Sequence, residues 1–137
     1  MWWIYALLSA LFASLTAVFA KIGIKDVDSD LATAIRTIIV LVMAWIIVFF
    51  KGSAQSITSL TKYNILFLSL SGVATGLSWI FYFKALQLGK VSQVAPVDKL
   101  SVALTIILSV IILKEVLTFK MAIGAILIIA GTLVLIF

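Results

Sequence analysis

The sequence predicts an all-α integral membrane protein with five spanning helices. Three observations lead there. The 137-residue chain is 65% hydrophobic and only 11% charged, against about 45–50% and about 25% in soluble domains. Its mean hydropathy is +1.35. Its apolar residues also fall into five long runs, each close to the roughly 20 residues that a helix needs to cross a hydrocarbon core of about 30 Å. A globule of this size cannot hide so much Leu, Ile, Val and Phe, so lipid is the solvent for most of the surface. Backbone groups left unpaired in hydrocarbon are costly, which makes each run a helix.

The first span covers about 2–20 and ends at Lys21. Val18-Phe19-Ala20 resembles a peptidase site, but the run lacks a basic leading segment and is too long for a signal peptide core. Trp2, Trp3 and Tyr5 read as an interfacial belt on a retained span. The connection that follows holds Asp26, Asp28 and Asp30. A calcium loop would need Gly at its sixth position and Glu at its twelfth, where this chain has Leu31 and Thr37. The acidic residues are read instead as helix capping, by Ser29 or Asp30, for a second span over about 31–50. That span ends in Trp45, Phe49 and Phe50, a second belt, before Lys51. The third span is expected over about 65–88, the fourth over 94–113 and the fifth over 119–137, the whole forming one membrane domain over 1–137. All the loops are short, with no room for a soluble catalytic domain.

The residue types that are missing narrow the chemistry. The chain has no Cys and no His, so it offers neither disulfide nor thiol nucleophile and lacks the commonest general base and metal ligand. No enzyme, metal site or cofactor is expected from it. The net charge of +5 comes from ten Lys and Arg against five acids. These cations sit mainly at the edges of the apolar runs, where topology and anionic lipid account for them without nucleic acid. Five spans put the termini on opposite sides. Lys21, Lys25, Arg36, Lys84, Lys90 and Lys99 then fall on one side, and Lys51, Lys62, Lys114, Lys120 and the N-terminal amine on the other. So even a distribution gives little instruction for orientation. A chain inserted both ways would build an inverted pair, the architecture of many transporters.

The C-terminal half carries a recognisable pattern. Tyr82-Phe83-Lys84-Ala85-Leu86-Gln87-Leu88-Gly89, then Val94-Ala95-Pro96-Val97-Asp98-Lys99-Leu100-Ser101, resembles the connection between the third and fourth helices of the EamA domain. Leu113-Lys114-Glu115-Val116-Leu117-Thr118 and Ile123-Gly124-Ala125-Ile126-Leu127-Ile128-Ile129-Ala130-Gly131 resemble its later signature. Phe19-Ala20-Lys21-Ile22-Gly23 and Ala34-Ile35-Arg36 extend the likeness through the first half. Lys114 departs from it, standing where the family usually has Gly. The resemblance implies a member of the drug/metabolite transporter superfamily of the short bacterial and archaeal type. Such a chain is one five-helix repeat, half of the ten-helix fold, in a prokaryotic plasma membrane. It implies a homodimer, antiparallel, in place of two fused halves.

Several residues are candidates for transport work. Arg36, Lys84, Asp98 and Lys99 are charged groups within or near the ends of spans, where charge is costly unless it faces protein or water. They are expected either to form an anion-attracting vestibule with Arg36 as the bidentate donor, or to divide into snorkelling lysines and an Arg36–Asp98 pair. Trp79 and Tyr82 stand ready to stack on a solute or to mark the interface. Pro96 is placed either in the first turn of the fourth helix or at a break in it. Gly72 and Gly76 in the third span, and Gly124 and Gly131 in the fifth, allow close helix approach. The related small multidrug-resistance transporters dimerise through a similar seven-residue Gly spacing, which makes the fifth helix the first choice for a seam. Those relatives exchange protons at a glutamate in the first helix. The first span here has no acid, which argues against that coupling. The expected function is secondary transport of a small metabolite or drug-like solute, with a non-transporting subunit of a lipid-modifying complex as the alternative.

Overall fold

A computed structural model describes all residues from Met1 to Phe137. It is helical throughout, without strands: α1 (Trp2–Gly23), α2 (Ser29–Phe50), a short 3₁₀ helix (Ser53–Ser59), α3 (Lys62–Leu88), α4 (Val91–Asp98), α5 (Leu100–Ile112) and α6 (Phe119–Ile136). Five segments are long and apolar enough to cross a membrane, with α4 and α5 together making the fourth. No more than 6% of any spanning window is buried within the chain. Trp2, Phe50, Phe81 and Phe119 are among the many large apolar side chains left open. Such a surface is stable only against lipid or another apolar face.

The α2 cap differs from expectation. The helix begins at Ser29, so the residue before it, Asp28, supplies the cap. Its carboxylate accepts from the N–H groups of Asp30 and Leu31, each at 3.0 Å. Ser29 and Asp30 lie inside the first turn, where Asp30 still suits the positive end of the helix. The early start also sets Arg36 deeper, as the eighth residue of α2 rather than about the fifth. The polar linker after Lys51 is likewise ordered, turning through Gly52 at φ 65° into the 3₁₀ helix.

Contacts divide the chain into two compact units, Phe19–Gln87 and a second made of Met1–Val18 with Leu88–Phe137. In the first, the end of α1 is tied to the end of α3. Lys21 Nζ donates to the Leu86 carbonyl, and Gln87 Nε2 donates to the Val27 carbonyl at 2.8 Å. Ile24, Ser29, Thr33, Phe83 and Leu86 are its buried residues. The Thr33 hydroxyl is satisfied within α2 by the Ser29 carbonyl at 2.8 Å. In the second unit, α6 packs on α5 and α4, with Ala103 and Thr132 buried.

Pro96 lies inside α4, and the helix is interrupted three residues later at Lys99. Proline has no N–H to give to the preceding turn. The chain tightens after it: the Lys99 N–H is shared between the carbonyls of Ala95 (3.3 Å) and Pro96 (3.0 Å), and the Val102 N–H reaches the Lys99 carbonyl at 3.0 Å. The Thr132 hydroxyl on α6 also donates to the Pro96 carbonyl at 3.3 Å, while bonding Ile128 in its own helix at 2.8 Å. A side chain 36 residues away in sequence therefore helps to satisfy the backbone at this interruption.

Candidate functional site

The chemistry of the first unit centres on Arg36. Trp79 and Phe83 are four residues apart on α3, one turn along the same face. The Arg36 guanidinium carbon lies over both rings, 4.4 Å from the Trp79 centroid and 4.9 Å from that of Phe83. Aromatic faces carry the negative lobe of the ring quadrupole, so they hold a cation and fix its plane. Phe83 is nearly fully buried. The Tyr82 ring meets Phe83 edge-on at 6.3 Å, which sets it beside the ring that Arg36 covers. Of the residues singled out in the sequence, the structure thus brings Arg36, Trp79 and Tyr82 to one place. Phe83 completes the group and was not foreseen.

The remaining charged candidates are arranged differently. Lys84 is exposed on α3. In the second unit, Asp98 and Lys99 form an ion pair between neighbours at 3.4 Å, with the Lys99 side chain 57% exposed. An exposed pair of this kind contributes little stability. It does place both signs of charge where α4 gives way to α5. At the turn after α1, Lys21, Ile24, Lys25, Asp26 and Gln87 line an open pocket of about 290 Å³. No group of three or more acids could hold a metal ion.

The glycines are informative by what surrounds them. A Cβ built on Gly72, Gly76, Gly124 or Gly131 would meet no heavy atom within 4 Å. Close packing within the chain therefore does not explain them. A helix-interior glycine costs about 0.5–1 kcal/mol relative to alanine, and nothing within this chain requires one at these four places. Gly124 and Gly131 are seven residues apart, two turns of α6, and so share a face.

The chain matches the model of the EamA-like transporter family over residues 1–137. Among curated proteins, an uncharacterized transporter encoded in the cobO 3′ region of a Sinorhizobium species is 47% identical over 134 residues, covering 98% of this chain and 95% of that protein. An uncharacterized protein of Methanocaldococcus jannaschii is 33% identical over 100 residues, covering 66% of this chain and 73% of its own. No solved structure matches significantly.

Proposed function

Because this chain belongs to the EamA-like transporter family, we propose that it moves a small metabolite or drug-like solute by alternating access as an antiparallel homodimer. The observation that carries this reading is the open glycine face of α6. One five-helix repeat leaves its spanning helices almost wholly uncovered, and Gly124 and Gly131 offer a notch that no part of the same chain fills. A second copy in the opposite orientation would complete an inverted pair. Small residues let its backbone approach closely where lipid supplies no hydrophobic drive. Gly72 and Gly76 give α3 the same freedom to slide against a neighbour. Trp79 and Tyr82 meet the solute beside Arg36. In the other unit, Pro96, Asp98 and Lys99 form the polar interruption at which a spanning helix bends during the cycle. The prokaryotic plasma membrane is the site of action, in keeping with the bacterial and archaeal relatives.

The test is flux into liposomes containing the purified chain alone, using a panel of carboxylates, amino acids and cationic dyes. Saturable flux is expected for at least one class. The double variant Gly124→Leu/Gly131→Leu should keep its helix content, because open space surrounds both positions. It should lose dimer cross-linking and flux together. A wild-type chain that dimerises but moves none of the panel would instead favour a non-transporting subunit of a larger complex.

A further inference from the structure

We propose that Arg36 is an oxyanion-binding residue, held by Trp79 and Phe83 so that the edge of its guanidinium takes a carboxylate or phosphate group. The inference deepens the transport reading by naming a ligand class. Arg36 stands seven residues beyond the start of α2, about 10 Å along the helix axis. A charge at the centre of a span costs roughly 2.5–3.5 kcal/mol on insertion scales, and such groups face a partner or water. Contact with the two rings, at 4.4 and 4.9 Å, orients the cation but cannot neutralise it.

The chain supplies no anion to do so. Its one ion pair is Asp98 with Lys99. The acids of the Arg36 unit are Asp26, Asp28 and Asp30, all at the turn before or the start of α2. Asp28 is committed to two cap hydrogen bonds, and Asp30 accepts from the Ser29 hydroxyl. Arg36 donates to no acceptor of the chain, yet no buried side-chain nitrogen lacks a partner. Its N–H donors therefore lie at accessible surface. A planar donor with five N–H groups, oriented by rings and open at its edge, matches the bidentate geometry of carboxylate or phosphate. Two sources can bring that group, a soluble organic anion or the headgroup of an anionic lipid.

The test reads binding without flux, so its failure is separable from failure of transport. In the full chain, Trp2→Phe, Trp3→Phe and Trp45→Phe leave Trp79 as the sole tryptophan among four. Its fluorescence is followed in detergent during titration with benzoate or inorganic phosphate. It is also compared in nanodiscs of phosphatidylcholine with and without phosphatidylglycerol. A saturable response to a soluble anion, weakened at least about tenfold in Arg36→Gln and partly retained in Arg36→Lys, supports a solute ligand. A response confined to phosphatidylglycerol discs, with the same dependence on Arg36, supports a lipid headgroup. Should Arg36→Gln fail to fold, Arg36→Lys decides, because an ammonium cannot reproduce the fork. Binding equal to wild type in a folded variant overturns the proposal. So does a folded triple Trp→Phe variant, with Arg36 intact, whose Trp79 answers to none of the probes.

Discussion

At Lys114 the backbone is left-handed, with φ at 56°, in the place where the family usually has Gly. The chain leaves α5 there, and the Glu115 N–H turns back to the Ser109 carbonyl at 3.3 Å. A side chain in this conformation costs roughly 1–2 kcal/mol, partly offset because glycine is freer when unfolded. Lys114→Gly should therefore stabilise the fold by about 0.5–1 kcal/mol. Denaturation in detergent would show it, and a lower stability would mean that the lysine side chain does more than the backbone suggests. Asp26 has φ 63°, but aspartate is among the residues that tolerate this region. Thr132 is a second position whose effect belongs to one side chain. Replacing its buried hydroxyl in Thr132→Val removes the bond to Pro96 but leaves that carbonyl the Lys99 N–H. The expected loss is about 0.5–1.5 kcal/mol, with Thr132→Ser close to wild type. Equal loss in both variants would assign the effect to packing.

Among the elements, the spans were legible because their signal is composition over some twenty residues, which no single contact can overturn. The start of α2 was harder. Ser29, Asp30 and Asp28 are all good caps by type, and only the geometry selects Asp28, two residues earlier than the apolar run suggests. Removing it in Asp28→Ala should destabilise the chain by about 1 kcal/mol, within a range of about 0.5–2. Asp30→Ala should cost only a few tenths, as the loss of one favourable charge at a helix start. Matching losses would show that the dipole, not the cap, matters here. Arg36 announced itself as a charge within a span, but Phe83 reads in sequence like any other apolar residue of α3. Its role exists only where two helices meet, as does that of Thr132 beside Pro96, and a local pattern carries no record of either. The glycines illustrate the reverse. Their spacing was visible, but whether they faced a neighbour within the chain or open space depended on the fold.

For the molecule as a whole, orientation is the property on which the proposed pair depends. In the proposed pair, alternation of five spans puts Lys21, Lys25, Arg36, Lys84, Lys90 and Lys99 on one side, and Lys51, Lys62, Lys114, Lys120 and the N-terminal amine on the other. With so small a difference, adding two lysines to either side should settle the direction of insertion. Ser53 and Gln55, in the 3₁₀ helix, and Ser92 and Gln93, at the start of α4, are all exposed; in the proposed alternation of spans the two pairs fall on opposite sides. The variants Ser53→Lys/Gln55→Lys and Ser92→Lys/Gln93→Lys should thus each insert in one orientation, opposite to each other, without disturbing the fold. Cysteines introduced beside each terminus would report this through an impermeant thiol reagent, since the chain has no cysteine of its own. Wild type should label at both termini from outside, each in part of the population. In the proposed antiparallel pair, neither biased variant alone can form the working assembly, so each should lose flux. Expressing the two together should restore it. Full flux from either variant alone would require a parallel assembly, and the face of α6 that carries Gly124 and Gly131 would then have to meet its own copy in the same orientation.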